Sequence, residues 1–220
     1  MHIAPFNNNN NPIVDANDSL VPLTYFNIVK LREGEEFSYR VPGYETCIVP
    51  ATGTINVEAV GQTYEAVGNR KVDVWGGEPE GVYIPIGTEA KLNCLTKTTE
   101  VFIAGAKYDK LLEPFDVRVS ELDLVQYGSD DTKTHRKIKH ILGQKQANKV
   151  GRLLVSELFT VGQGGWSGFP SHKHDTNRLP EETRHDETYN FRFKPNYGSG
   201  LQMLQREDNK SGDAYHIVNG

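Results

Sequence analysis

The chain has 220 residues with 24 basic and 29 acidic side chains, which gives a formal net charge of −5. An acidic balance argues against nucleic acid as a partner, because holding a phosphate backbone needs a basic face. Its 37% hydrophobic and 24% charged content is that of an ordinary globular protein, and no apolar run reaches the length of a membrane span.

The chain begins with an asparagine tract at residues 7–11 instead of the basic-then-apolar pattern of a secretory leader, so the expected location is the cytoplasm. Strand signals then dominate. Residues 54–60 alternate apolar and polar before the turn pair Gly61-Gln62, and residues 71–75 alternate before Gly76-Gly77. Residues 81–85 and 99–104 continue the series. Short strands punctuated by Gly and Pro about every ten residues predict an antiparallel sandwich or barrel. Cys47 and Cys94 lie inside apolar-alternating runs and are expected as buried small hydrophobes, with no disulfide framework. Helical character is confined to short patches near 110–112 and 122–127. The basic run 133–145, with Arg136, Lys137 and Lys139, is expected to be a solvated linker or strand edge.

From Gly164 the pattern starts again, with strands expected at 187–193, 201–204 and 214–218. The two halves echo each other: Glu45-Thr46-Cys47-Ile48-Val49 and Glu187-Thr188-Tyr189-Asn190-Phe191 each lead into a turn of small residues. This predicts an all-β chain built from a duplicated barrel module: a first domain at 1–113, an interdomain segment at 114–150, and a second domain at 151–220. Glu45 has no histidine beside it in sequence and is expected to be structural.

The most informative stretch is His172-Lys173-His174-Asp175 with Asp186-Glu187-Thr188-Tyr189 behind it. On extended backbone the side chains of His172 and His174 share a side, and a glutamate on the next segment can complete the pocket. Two imidazoles and a carboxylate suit zinc, manganese, iron, nickel or cobalt without choosing among them. Glu181 and Glu182 are rival carboxylates on a proline-bearing insertion. His185 shares parity with Glu187 and is a rival ligand, although an exposed loop-end histidine is the plainer reading. Asp175 is a candidate for orienting a ligand imidazole. Tyr189 shares a face with Glu187 and is a candidate for lining the pocket and relaying a proton, against the alternative of an aromatic filling the interior. Gln202 is a candidate for a ligand hydroxyl. Arg178 is the better placed cation for binding, since Arg192 and Lys173 fall on the opposite faces of their segments.

These residues resemble the 5-deoxy-glucuronate isomerase family, a two-barrel (bicupin) branch of the cupin superfamily that acts in inositol catabolism. The resemblance rests on residues 155–160, Gly165-Trp166-Ser167, His172-Lys173-His174-Asp175, Leu179-Pro180-Glu181-Glu182 and Glu187-Thr188-Tyr189, with His135 to His140 similar to the family's interdomain segment. It implies two tandem cupin-type antiparallel barrels with a divalent metal on His172, His174 and Glu187 in the second. The implied reaction is an aldose–ketose isomerisation of a small sugar acid, 5-deoxy-glucuronate to 2-deoxy-5-keto-gluconate. Homo-oligomerisation is left open. Three departures stand out: Pro170-Ser171 in place of two prolines, Gln202-Met203-Leu204-Gln205 in place of Gln-Arg-x-Tyr, and a histidine-bearing turn with the family's fourth ligand that has no counterpart before Gly220. The second barrel is therefore expected to be truncated. Two other readings stay open: a non-haem iron oxygenase, which uses the same two-His, one-carboxylate set, and a non-catalytic sugar-acid-binding cupin.

Overall fold

The computed structural model describes residues 1–168, 171–205 and 212–218; the departures at Pro170 and the final Asn219-Gly220 lie outside them. The described chain is all-β with two single-turn 3-10 helices. Among the described residues no helix is long and apolar enough to cross a membrane. Residues divide into a larger unit, 9–168, and a smaller one made of residues 1–8 and the described residues from 171 on.

The larger unit is organised by one strand. β1 (Thr24–Arg32), β2 (Glu36–Tyr39), β3 (Tyr44–Ala59), β4 (Gln62–Arg70), β5 (Gly81–Ile84), β6 (Ala90–Cys94), β7 (Thr98–Lys107) and β8 (Phe115–Val117) form its main sheet. β3 runs for 16 residues, and its first eight are buried throughout. Its first half pairs antiparallel with β7 and β5, and its second half with β4 and β6. The switch falls at Pro50, where the ladder register shifts and proline has no N–H to give. Gly53 follows at φ +79°, and a Cβ there would meet Thr99 Oγ1 at 2.2 Å, so only glycine lets the strand pass.

The extra β3 residue between Pro50 and Thr52 reverses the strand's alternation, so even positions before it and odd positions after it face one core and Cys47 and Val49 face another. Ile48, Ile55 and Val57 pack with Val29, Leu92, Val101 and Ile103. Cys47 and Val49 pack with Tyr83, Val117, Ile141 and Leu142. Both cysteines are buried and free. β3 and β4 are joined at Val60-Gly61, with φ of 50° and 71°, a two-residue hairpin turn in which both central residues are left-handed.

The pairing path β1-β7-β3-β5-β8 is open, and among the described residues no sheet closes into a barrel. Three expectations need correction. Residues 71–75 form turns and no strand, because the Asp73 carboxylate accepts from the Trp75 amide at 3.1 Å and the Asp73 carbonyl from Gly76; an aspartate that serves nearby amides competes with the ladder. Neither expected helical patch is helical: 110–112 is irregular, and 122–127 contains β9 (Asp123–Tyr127), held by the register Tyr127↔Arg136 and Val125↔Ile138. The basic run is neither linker nor edge: β10 (Arg136–Leu142) is the central strand of a sheet ordered β11-β10-β9, with β11 at Val155–Thr160. Ion pairs tie this sheet to the end of β4 and the loop after it. Arg70, 1% exposed, grips Glu157 through both guanidinium nitrogens at 2.8 and 2.5 Å, and Lys139 meets Glu78 at 2.8 Å.

Glu45 is fully buried on the Tyr83 face of β3. Its carboxylate accepts from the Tyr83 hydroxyl at 2.6 Å and from the backbone amides of Gly151, Arg152 and Leu153 at 2.9, 2.5 and 2.8 Å. Four donors satisfy the buried charge, which is the condition for burying one.

In the smaller unit β12 (Gly200–Leu204) pairs antiparallel with β13 (Asp213–Ile217), setting Gln202 opposite Tyr215. The ring of His2 packs on Tyr215 with centroids 5.1 Å apart. The strand expected at 187–193 is absent as a ladder element. Its period-two pattern survives in the side chains, since Tyr189, Phe191 and Phe193 stack in series at 6.1 and 6.4 Å. Alternation needs extended backbone, whereas a ladder also needs a partner with free N–H and C=O groups.

Candidate metal centre

The site is built on a tight reversal in the smaller unit. Arg178 and Glu182 form an isolated antiparallel bridge, and the Arg178 carbonyl accepts from the Glu181 and Glu182 amides. The arms are fixed further out: the Arg184 amide donates to the Asn177 side chain at 2.9 Å, and the His185 amide to the His174 carbonyl at 3.0 Å. Two residues beyond that bond on each arm stand His172 and Glu187. Side chains two apart share a side, so His174 and His172 on one arm face His185 and Glu187 on the other.

The distances follow from this register. His172 Nε2 lies 3.9 Å from Glu187 Oε2, and His174 Nε2 lies 3.9 Å from Glu187 Oε1. The rings of His172 and His174 meet edge to face, 5.1 Å between centroids. One donor atom from each of His172, His174 and Glu187 falls within 4.8 Å of the others. Three points that close leave a centre within about 2.8 Å of each, so shifts of at most about 0.6–0.8 Å reach the 2.0–2.2 Å of zinc–imidazole and zinc–carboxylate bonds. Donor chemistry and convergence thus both fit a divalent transition metal. All three side chains are between a third and two fifths exposed, so the centre is open to a ligand from solvent.

Tyr189 stands beside Glu187 and is 59% exposed. Loss of solvent around the hydroxyl and the negative charge of Glu187 push its pKa up to about 12, so at neutral pH it holds its proton. His185 is closer to the centre than its loop-end position suggested. Its ring stacks on His174 at 3.9 Å, and its Nε2 lies 4.0 Å from Glu187 Oε1. The signal was its parity with Glu187, which becomes informative once the opposite arm is known to carry His174.

The remaining candidates are placed differently. Arg178 lines a surface cleft of about 530 Å³ together with Lys173, His174, Glu181 and His185. Its guanidinium is already engaged, with Nε and Nη2 on Glu182 Oε2 at 3.0 and 2.6 Å. That pair also removes Glu182 as a rival metal ligand. Asp175 accepts from the Thr176 hydroxyl at 2.9 Å and pairs with Lys173 at 3.2 Å, on the far side of the arm from the imidazoles. Gln202 lies on β12, and among the described residues its side chain makes no hydrogen bond.

The sequence profile of the KduI/IolB family matches residues 2–220. Relatives named 5-deoxy-glucuronate isomerase include one from Listeria monocytogenes, 27% identical over 199 residues, covering 89% of this chain and 71% of the relative. One from Geobacillus thermodenitrificans is 29% identical over 199 residues, covering 89% and 69%. One from Bacillus subtilis strain 168 is 28% identical over 200 residues, covering 90% and 72%. Among solved structures, an IolB-like protein from Salmonella typhimurium superposes with a TM-score of 0.75 at 26% identity, over 90% of this chain and 73% of that one.

Proposed function

This chain belongs to the KduI/IolB family, and from that premise we propose that it is a metal-dependent aldose–ketose isomerase of a deoxy-uronic acid. The substrate we assign is 5-deoxy-glucuronate, the name its relatives carry, with 2-deoxy-5-keto-gluconate as product, in inositol catabolism. The architecture in this reading is that of a protein with two cupin modules. The observation that carries the proposal is the convergence of His172, His174 and Glu187 within 4.8 Å, on a chain matched by that family along its length.

Isomerisation between an aldehyde and a neighbouring hydroxyl moves one hydrogen from carbon to carbon and one proton from the hydroxyl oxygen to the carbonyl oxygen, developing negative charge on oxygen on the way. A divalent ion on His172, His174 and Glu187 would supply Lewis acidity toward those two oxygens when bound. The chain's own part is positional. His172 and His174 offer ring nitrogens from one arm, while the backbone bond between His185 and His174 keeps Glu187 opposite them. Tyr189 keeps its proton at neutral pH beside the Glu187 carboxylate. A protonated phenol so placed is a hydrogen-bond donor to a substrate oxygen and a relay for its proton. With Arg178 engaged by Glu182, recognition of the substrate carboxylate requires that pair to open or another cation to serve.

The test is turnover of 5-deoxy-glucuronate by the metal-loaded chain under anaerobic conditions, followed by NMR, with Glu187→Gln as the control. Ketose formation lost in the variant supports the reading. An inert loaded wild type, or activity that needs oxygen and bound iron, refutes it and favours the oxygenase use of the same donor set.

A further inference from the structure

We infer that His185 supplies a third imidazole to the centre formed by His172, His174 and Glu187, so that four protein side chains hold the ion. This rests on the metal site proposed above and extends it to a residue in the turn-facing part of the second arm.

Three features of His185 point the same way. Its Nδ1 lies 2.9 Å from the Thr183 carbonyl. A carbonyl only accepts, so the tautomer selected for the neutral ring has its proton on Nδ1 and the lone pair that a metal needs on Nε2. A ligand histidine commonly has its other nitrogen tied to a carbonyl in this way, which fixes tautomer and ring orientation. Next, that Nε2 is aimed at the cluster: it lies 4.0 Å from Glu187 Oε1, the oxygen that His174 Nε2 approaches at 3.9 Å. Finally, the ring lies on His174 with 3.9 Å between centroids and 25° between planes. Two stacked imidazoles turned toward one carboxylate oxygen present their nitrogens to the same small volume. The His185 amide bond to the His174 carbonyl at 3.0 Å holds the two residues in this relation.

The tighter trio of donors is His172, His174 and Glu187, so His185 completes the set by a small ring movement over His174. The Thr183 carbonyl supports that movement by keeping Nδ1 protonated throughout. In this arrangement the reversal at 178–182 is more than a connector, because its closure sets how near His185 comes to the first arm.

The experiment uses the full chain, freed of metal and reloaded with one equivalent of Co(II). X-ray absorption on the wild type should count three imidazoles, and on His185→Ala two, with Co(II) affinity at least about tenfold weaker in chelator competition, the scale on which removing an imidazole or its support acts. His185→Cys should add a thiolate-to-cobalt charge-transfer band that the wild type lacks, a gain of signal that a misfolded protein does not give. Two imidazoles in the wild type, or no such band in the folded cysteine variant, overturns the assignment and leaves the centre of His172, His174 and Glu187 standing. Failure of the wild type to bind Co(II) at all overturns the metal-dependent reading itself.

Discussion

Replacing Glu45 by Gln is the sharpest test of how the larger unit is held. The carboxylate is fully buried and collects four hydrogen bonds, one from Tyr83 and three from consecutive backbone amides at 151–153. Hydrogen bonds to a charged acceptor contribute about 1.5–3 kcal/mol each, and a buried donor left without a partner costs about 1–3 kcal/mol. Gln keeps the shape but offers one acceptor oxygen, and turns an NH₂ toward groups that are themselves donors. Because the four bonds share one acceptor they do not add. The expected loss is therefore about 3–5 kcal/mol, the usual range for breaking a buried charged network. At about 2–4 °C per kcal/mol for a unit of this size, the Tm should fall by roughly 6–20 °C. Tyr83→Phe removes a single donor and should lose only about 1–2 kcal/mol. Urea unfolding of both single variants and the double variant measures the coupling. A Glu45→Gln protein within about 1 kcal/mol of wild type would show that the carboxylate is not the anchor its hydrogen bonds describe.

Val60 is an exposed, β-branched residue at φ 50°, where left-handed backbone costs about 1–2 kcal/mol. Val60→Asn should stabilise by about 0.5–1.5 kcal/mol, read as a higher urea midpoint at unchanged slope. Glu157→Gln leaves the buried Arg70 charge poorly paired and should cost about 3–5 kcal/mol, whereas Arg178→Ala breaks an exposed pair and should cost under about 1 kcal/mol; equal losses in thermal scans would contradict the burial argument. Alkaline pH should unfold the larger unit through its phenols. Burial pushes the Tyr25 pKa up to about 12 and raises Tyr39 and Tyr83 as well, the last also through Glu45. A raised folded-state value means the contribution is intact below the ordinary tyrosine value near pH 10 and lost as pH climbs through 12 and above. Phenolate absorbance of these residues should therefore rise together with the loss of β-sheet circular dichroism, and ionisation well before unfolding would refute the assignment.

What could be read from the residues followed the reach of each signal. Period-two alternation gave β5, β7 and the second half of β3, because one buried face imposes it directly. It failed at 71–75, where Asp73 diverts nearby amides into a turn, and at 187–193, where alternation persists without a ladder partner. β9 was hidden because Leu124, Val125 and Tyr127 form only a short apolar cluster, and pairing with β10 decides its state. For the candidate centre, parity grouped His172 with His174 and Glu187 with His185, and the reversal set the two pairs face to face. Parity alone left His185 ambiguous until the reversal at 178–182 fixed which residues face one another. The role of Glu45 was only half legible. Its lack of histidine neighbours marked it as structural, but its partners include three backbone amides more than a hundred positions away. Backbone amides leave no trace in side-chain identity.

Since β3 gives its ladder bonds to β4, β5, β6 and β7 and a face to each of two cores, it is the strand of the main sheet least able to open alone. Fraying of any neighbour exposes one edge of β3 while the others still hold it. Its amides should exchange with solvent hydrogen only through complete unfolding of that unit, so the strand reports total stability rather than local motion.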